Sequence, residues 1–163
     1  MTILLAPMEG LLDHPLRQVL TAVGGAGETT AGAESCGQPV EDGGGVSFAS
    51  ARHGMRGRWS GDVRGESCVL LRNEHGEIVW RPAMLCADVV VECARGRIEG
   101  RGYVELIEMT VVPWRLPFEA LRWGRAVCGG RGCTWIDWRG GMKKSWVADE
   151  RGVREGASVS DDR

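Results

Sequence analysis

Leu85-Cys86-Ala87-Asp88-Val89-Val90-Val91-Glu92-Cys93 is the stretch from which the fold is read. Leu85, Ala87, Val89, Val91 and Cys93 fall on one side of an extended backbone, and Cys86, Asp88, Val90 and Glu92 on the other. This is the period-two alternation of a strand with one buried face. Ala94-Arg95-Gly96 follows as a hairpin loop leading to a stretch that begins near Ile98. Upstream, Asn73-Glu74-His75-Gly76 separates Cys68–Leu71 from Ile78–Trp80 in the same manner. Downstream, Tyr103 to Val112 is long and rich in β-formers, with Glu105 and Glu108 on opposite faces, until Pro113 and Pro117 stop the ladder. Phe118 to Trp123 reads as one short helical turn closed by Gly124, and Gly129-Gly130-Arg131-Gly132 as a loop delivering Thr134 to Trp138 as a return strand. The region from Val46 to Val147 carries all seven tryptophans. It predicts an antiparallel meander of about six to eight strands.

Composition narrows the remainder. A chain of 163 residues has room for one domain with a moderate core, and a complete (β/α) barrel, which needs about 250, is excluded. Net charge is −2, and 18 Arg and 2 Lys are interspersed with the acids, so no basic footprint for nucleic acid is present. Met1 to Gly10 lacks a basic start and is interrupted by Pro7 and Glu9, which argues against a secretory signal. No apolar run reaches the length of a membrane span. With no export signal expected, the six cysteines read as reduced thiols and the location as cytoplasmic. Glycine, at 25 of 163 residues, is about twice its usual share, and it is concentrated where large apolar residues are missing. The expected layout is a βα segment over 1–25, a glycine-rich linker over 26–45, a β-rich domain over 46–148 and a disordered tail over 149–163.

In the first segment Ile3 to Ala6 reads as a strand, Asp13 as a helix N-cap with Pro15 in the first turn, and Leu16, Val19, Leu20 and Val23 as an apolar stripe ended by Gly24. The wording Leu4-Leu5-Ala6-Pro7-Met8-Glu9-Gly10-Leu11-Leu12-Asp13 resembles the opening of the flavin-dependent tRNA-dihydrouridine synthases. That resemblance covers about one seventh of the chain and implies flavin-facing roles for Pro7 and Met8. The family's catalytic cysteine lies in an Asn-x-Gly-Cys-Pro loop, whereas Ser35-Cys36-Gly37-Gln38-Pro39 has Gln38 at that place. FMN as cofactor and tRNA as partner therefore belong to an alternative reading, that of a truncated and inactive synthase.

A second resemblance lies further on. Gly100-Arg101-Gly102-Tyr103-Val104-Glu105, Pro113-Trp114-Arg115-Leu116-Pro117, Leu121-Arg122-Trp123-Gly124-Arg125 and Trp135-Ile136-Asp137-Trp138-Arg139-Gly140 look like core signatures of the lipocalin-like family that includes carotenoid 1,2-hydratases. It implies antiparallel barrel or sandwich modules enclosing apolar ligands, of which this chain holds at most one. The family's catalytic carboxylate finds no residue-by-residue match. The resulting expectation is a mainly β fold, a single antiparallel β-barrel or sandwich of lipocalin-like type, preceded by an orphan βα segment.

Alternation on Thr134 to Trp138 sets Trp135 and Asp137 on one face, and Ile136 and Trp138 on the other. An acid against indole walls would have a raised pKa and could protonate an alkene or orient an apolar ligand. Equally, Asp137 would pair with Arg122, Arg125 or Arg139 at the sheet edge while the tryptophans fill a core. Trp135, Asp137, Tyr103, Trp114 and Trp123 are the candidate ligand-binding residues, and no catalytic residue is assigned. The interleaving of Arg and Trp from Trp114 to Trp138 points to cation–π packing. Cys128 and Cys133 flank a loop without the two further ligands a metal requires, so no metal site is expected. His14, His53 and His75 have no nucleophile at a recognisable spacing. The sequence thus predicts a binding domain for an apolar small molecule or a protein partner, with hydratase-like or synthase-like enzymes as alternatives. Because Gln38 replaces the acid and the flavin-shaping strands are missing, purified protein should emerge from gel filtration without FMN absorbance near 450 nm, a window set by the flavin itself. Stoichiometric FMN would reverse this expectation.

Overall fold

The computed structural model describes residues 2–4, 39–51, 54–63 and 65–156, and among these are eleven β-strands. In chain order they are β1 (Thr2–Leu4), β2 (Val40–Glu41), β3 (Gly45–Ser50), β4 (Met55–Ser60), β5 (Cys68–Asn73), β6 (Gly76–Cys93), β7 (Gly96–Met109), β8 (Ala120–Cys128), β9 (Arg131–Arg139), β10 (Lys144–Asp149) and β11 (Gly152–Glu155). A seven-stranded sheet runs β1-β7-β6-β4-β3-β2 with β5 also paired to β6, and a four-stranded sheet runs β11-β10-β9-β8. All pairings are antiparallel. Neither sheet closes into a barrel.

The 18-residue β6 organises the large sheet. Its first residues, Gly76 to Trp80, pair with β5, and its last, Asp88 to Glu92, pair with β4. Between them the register with β7 shifts twice, from Arg81 to Met84 and from Met84 to Ala87. Pro82 sits in this interval, where the missing N–H is tolerated because the ladder is already interrupted. The bulges bend the strand, so that its two halves serve two cores. Ala83, Met84, Ala87, Val89 and Val91 pack with Val46, Phe48, Met55, Trp59 and Val104 inside the large sheet. Ile78 and Trp80 instead join Leu70, Leu71, Ile136, Trp138 and Trp146 between the two sheets. There the rings of Phe118 and Trp138 lie 4.7 Å apart and those of Trp138 and Trp146 4.8 Å apart, the latter edge-on at 69°.

The expected hairpins at Glu74–His75, Ala94–Arg95 and Gly129–Gly130 form, and the alternation expected over Leu85–Cys93 holds from Ala87 to Cys93, while Leu85, within the second register shift, packs against the inter-sheet core instead. Four expectations are corrected. The lone helical feature among the described residues is a 3-10 turn at Pro113–Arg115, and the helical turn expected over Phe118–Trp123 gives way to β8, because Ala120 to Cys128 pair residue by residue with β9 and Trp123 packs against the inter-sheet core. The glycine-rich linker does not extend to residue 45, since Val40–Glu41 pair with β3 and Gly45 opens it. The tail does not begin at 149, since Gly152–Glu155 pair with Trp146–Asp149. Thr2–Leu4 pair with Glu105–Ile107, so the first strand is not without a partner, while the helix expected after Asp13 lies outside the described residues.

On β9, Trp138 is 2% exposed and faces the inter-sheet core, whereas Trp135 is half-buried on the opposite face. Trp138→Ala should lower unfolding free energy by about 3–5 kcal/mol as a core truncation, and Trp135→Ala by clearly less. Urea titrations of both variants compare them directly, and equal large losses would place both rings in a core.

Candidate functional site

The polar residue that stands out in this apolar interior is Glu105. It lies on β7 of the large sheet, 1% exposed, yet its partners come from both sheets. Trp80 Nε1 on β6 donates to Oε2 at 3.1 Å, and Thr134 Oγ1 on β9 donates to Oε1 at 2.8 Å. Trp123 Nε1 on β8 reaches Thr134 Oγ1 at 3.4 Å. Next to them the Arg125 guanidinium lies over the Tyr103 ring, 3.3 Å from its centroid. Cross-strand register accounts for the gathering: Arg125 is opposite Thr134, Trp123 is opposite Ile136, and Tyr103 shares the face of Glu105.

Burial among indoles raises the Glu105 pKa, and this desolvation outweighs the lowering influence of Thr134, Trp80, Arg125 and Trp123. Thr134 has one hydroxyl hydrogen, but its Oγ1 lies within reach of both Glu105 Oε1 and the Gly124 carbonyl, the latter at 3.2 Å.

The five residues singled out in the sequence are not brought together. Tyr103 and Trp123 belong to the Glu105 cluster. Trp135 and Asp137 lie on the other face of β9, and Trp114, 81% exposed, stands on the 3-10 turn away from both. Trp135 lies flat on its cross-strand neighbour Gly124, where an added Cβ would come within 2.1 Å of the ring. Asp137 accepts from Arg139 Nε at 2.9 Å and is opposite Arg122 in the β8–β9 register, so it has an arginine partner as considered above, but on an inner strand rather than at the sheet edge. The acid walled by indoles is thus Glu105, and Trp80 and Thr134 are site residues that the sequence reading missed. Its signal was an acid two residues from Tyr103 in a strand apolar on both faces. Pro7 and Met8 lie outside the described residues.

A cleft of about 510 Å³ opens where the bulge of β6 meets the ends of β9 and β10. Pro82, Leu85 and Val153 supply an apolar floor, and Asp62, Arg131 and Asp149 stand around it. Two close backbone approaches shape it. A Cβ on Gly65 would meet the Pro82 carbonyl at 1.9 Å, and one on Gly132 the Leu85 carbonyl at 2.0 Å. Arg154 and the Arg151 amide hold the Asp149 carboxyl down at about 2, so it is anionic at any ordinary pH. Among the described residues no cluster of His, Cys, Asp and Glu is placed to hold a metal, and Cys128 and Cys133 are free thiols, opposite Arg131 and Ala126 respectively. No helix among these residues is long and apolar enough to cross a membrane.

No protein-family model, curated protein or solved structure matches the chain.

A raised carboxyl pKa fixes the sign of a pH effect. Folded protein holds the Glu105 proton more tightly than unfolded chain, so this stabilisation is complete below the unfolded value of about 4.3 and declines as pH rises above it. Glu105→Gln keeps an acceptor for Trp80 and gains a donor for Thr134. Its stability relative to wild type should therefore increase from pH 4 to pH 8 in urea titrations. Parallel profiles for the two proteins would mean that Glu105 ionises normally.

Proposed function

We propose that the chain is a binding domain of lipocalin-like character, without catalysis, that takes a small amphiphilic molecule with an apolar body. The observation carrying this reading is the cleft of about 510 Å³, within the range of small-molecule sites. Its floor suits an apolar skeleton. Its rim carries charge of both signs, Arg131, 3.6 Å from Glu150, together with Asp62 and the ionised Asp149. The inter-sheet space that a lipocalin-type barrel would give to ligand is filled here by Trp80, Trp138 and Trp146. The cleft at the bulge is therefore the better receptor.

A second reading, a hydratase-like enzyme, draws on Glu105: a carboxyl whose pKa is raised by burial among indoles is the kind of group that protonates an alkene. Its 1% exposure weighs against it, since substrate would have to part the two sheets to reach the acid. The truncated dihydrouridine synthase reading gains no support from the described residues.

The fluorescent amphiphile 8-anilinonaphthalene-1-sulfonate tests the cleft. Its anionic head should sit by Arg131 and its rings on Pro82 and Val153. Val153→Glu and Arg131→Glu should each weaken binding about tenfold or more, equivalent to about 1.4 kcal/mol; Arg131→Glu should leave the melting curve little changed, whereas Val153→Glu, at a residue packed against the inter-sheet core, should lower it. Unaltered binding in both variants would remove the cleft as the site.

A further inference from the structure

Strand β8 ends the four-stranded sheet among the described residues. It is nine residues long, contains no proline and runs beside β9 without a bulge. A strand edge of this kind is a template for another strand. The direction of its polar groups follows from the adjoining turn. Gly129 and Gly130 have φ of 58° and 79°, the signature of a two-residue type I′ hairpin. Cys128 and Arg131 flank it as the first hydrogen-bonded pair, and alternate residues follow suit. Even-numbered residues of β8 therefore bond to β9, while Leu121, Trp123, Arg125 and Val127 turn N–H and C=O outward.

We infer that this edge pairs antiparallel with the β8 edge of a second copy of the chain, about a two-fold axis at Gly124. Outward groups meet only in registers that set odd-numbered residues opposite odd-numbered ones. Centring on Trp123 leaves Val127 and Cys128 beyond the facing β8, and centring on Arg125 sets two Arg125 side chains face to face, which like charge opposes. Centring on Gly124 pairs all nine residues of the strand. It places Leu121, 49% exposed, opposite Val127, 40% exposed, twice across the axis. Arg122 then faces Ala126 and Arg125 faces Trp123, so no cation opposes another. This self-complementarity selects a second copy as the occupant over an unrelated strand, and the result is a continuous eight-stranded sheet with isologous symmetry.

Sedimentation velocity over a concentration series reads the outcome. Wild-type chain should reach about twice the monomer mass. Leu121→Lys combined with Val127→Lys sets like charges across the axis at exposed positions, and should leave a folded monomer, checked by circular dichroism and melting. Mixing that variant with one carrying Leu121→Glu and Val127→Glu should restore a dimer. Register is tested separately by Ala120→Cys, which brings residue 120 opposite Cys128 of the second copy at a Cα separation of about 4.5 Å, within disulfide reach. Diamide oxidation should then give a covalent dimer joined through positions 120 and 128. A wild-type chain that stays monomeric, a dimer that survives the double lysine substitution, or a dimer that fails to cross-link at these positions would each overturn the proposal.

Discussion

The bulged segment of β6 from Arg81 to Ala87 is the constraint on which the rest of the structure depends. Without the two register shifts, β6 would be one straight strand with all its inward residues on a single surface, and the four-stranded sheet would have nothing to pack upon. With them, the strand turns Ile78 and Trp80 toward the second sheet and Met84, Ala87 and Val89 toward the first. Pro82 makes an interruption nearly obligatory, because no ladder hydrogen bond can be donated from its nitrogen. The bend also exposes β6 carbonyls, and the chain covers them at close range with residues lacking a side chain, Gly65 over Pro82 and Gly132 over Leu85.

Glu105 and Thr134 add a polar link between sheets otherwise joined by aromatic packing. Such a link is a weak source of net stability, because desolvating a carboxyl offsets much of what its hydrogen bonds contribute. Its effect is on alignment. Trp80, Glu105 and Thr134 satisfy one another in only one relative placement of β6, β7 and β9, whereas indole rings alone would tolerate several. The outer surface specifies register by a different means. Arg56 opposes Glu92 and Arg101 opposes Asp88 in directly paired positions, exposed contacts that contribute little to stability but penalise slippage of one strand past another. An arginine-rich chain with balanced acids suits this arrangement.

The sequence by itself determined the β class, the three tight hairpins and the two-faced character of Ala87–Cys93 and Thr134–Trp138, because each depends on alternation and turn chemistry within a dozen residues; Leu85 escaped the pattern because the bulge before Ala87 turns it to the other core. It also separated Trp138 from Trp135 correctly, since neighbours on a strand cannot share a face. Short edge strands such as Val40–Glu41 and Gly152–Glu155 were illegible, because two to four residues with a single valine carry no period and pair only when a neighbouring strand is offered. Phe118–Trp123 looked helical because its apolar spacing is ambiguous over six residues, and the pairing with β9 decided the matter. Only the tertiary structure decided which acid stands among the indoles. Asp137 stands directly before Trp138 and two residues after Trp135 yet lies on the face of β9 away from the inter-sheet core, beside Arg139, while Glu105 draws Trp80, Trp123 and Thr134 from three other strands. Burial and pKa follow from contacts made across two sheets, and a contact of that kind leaves no mark on the local pattern of either partner.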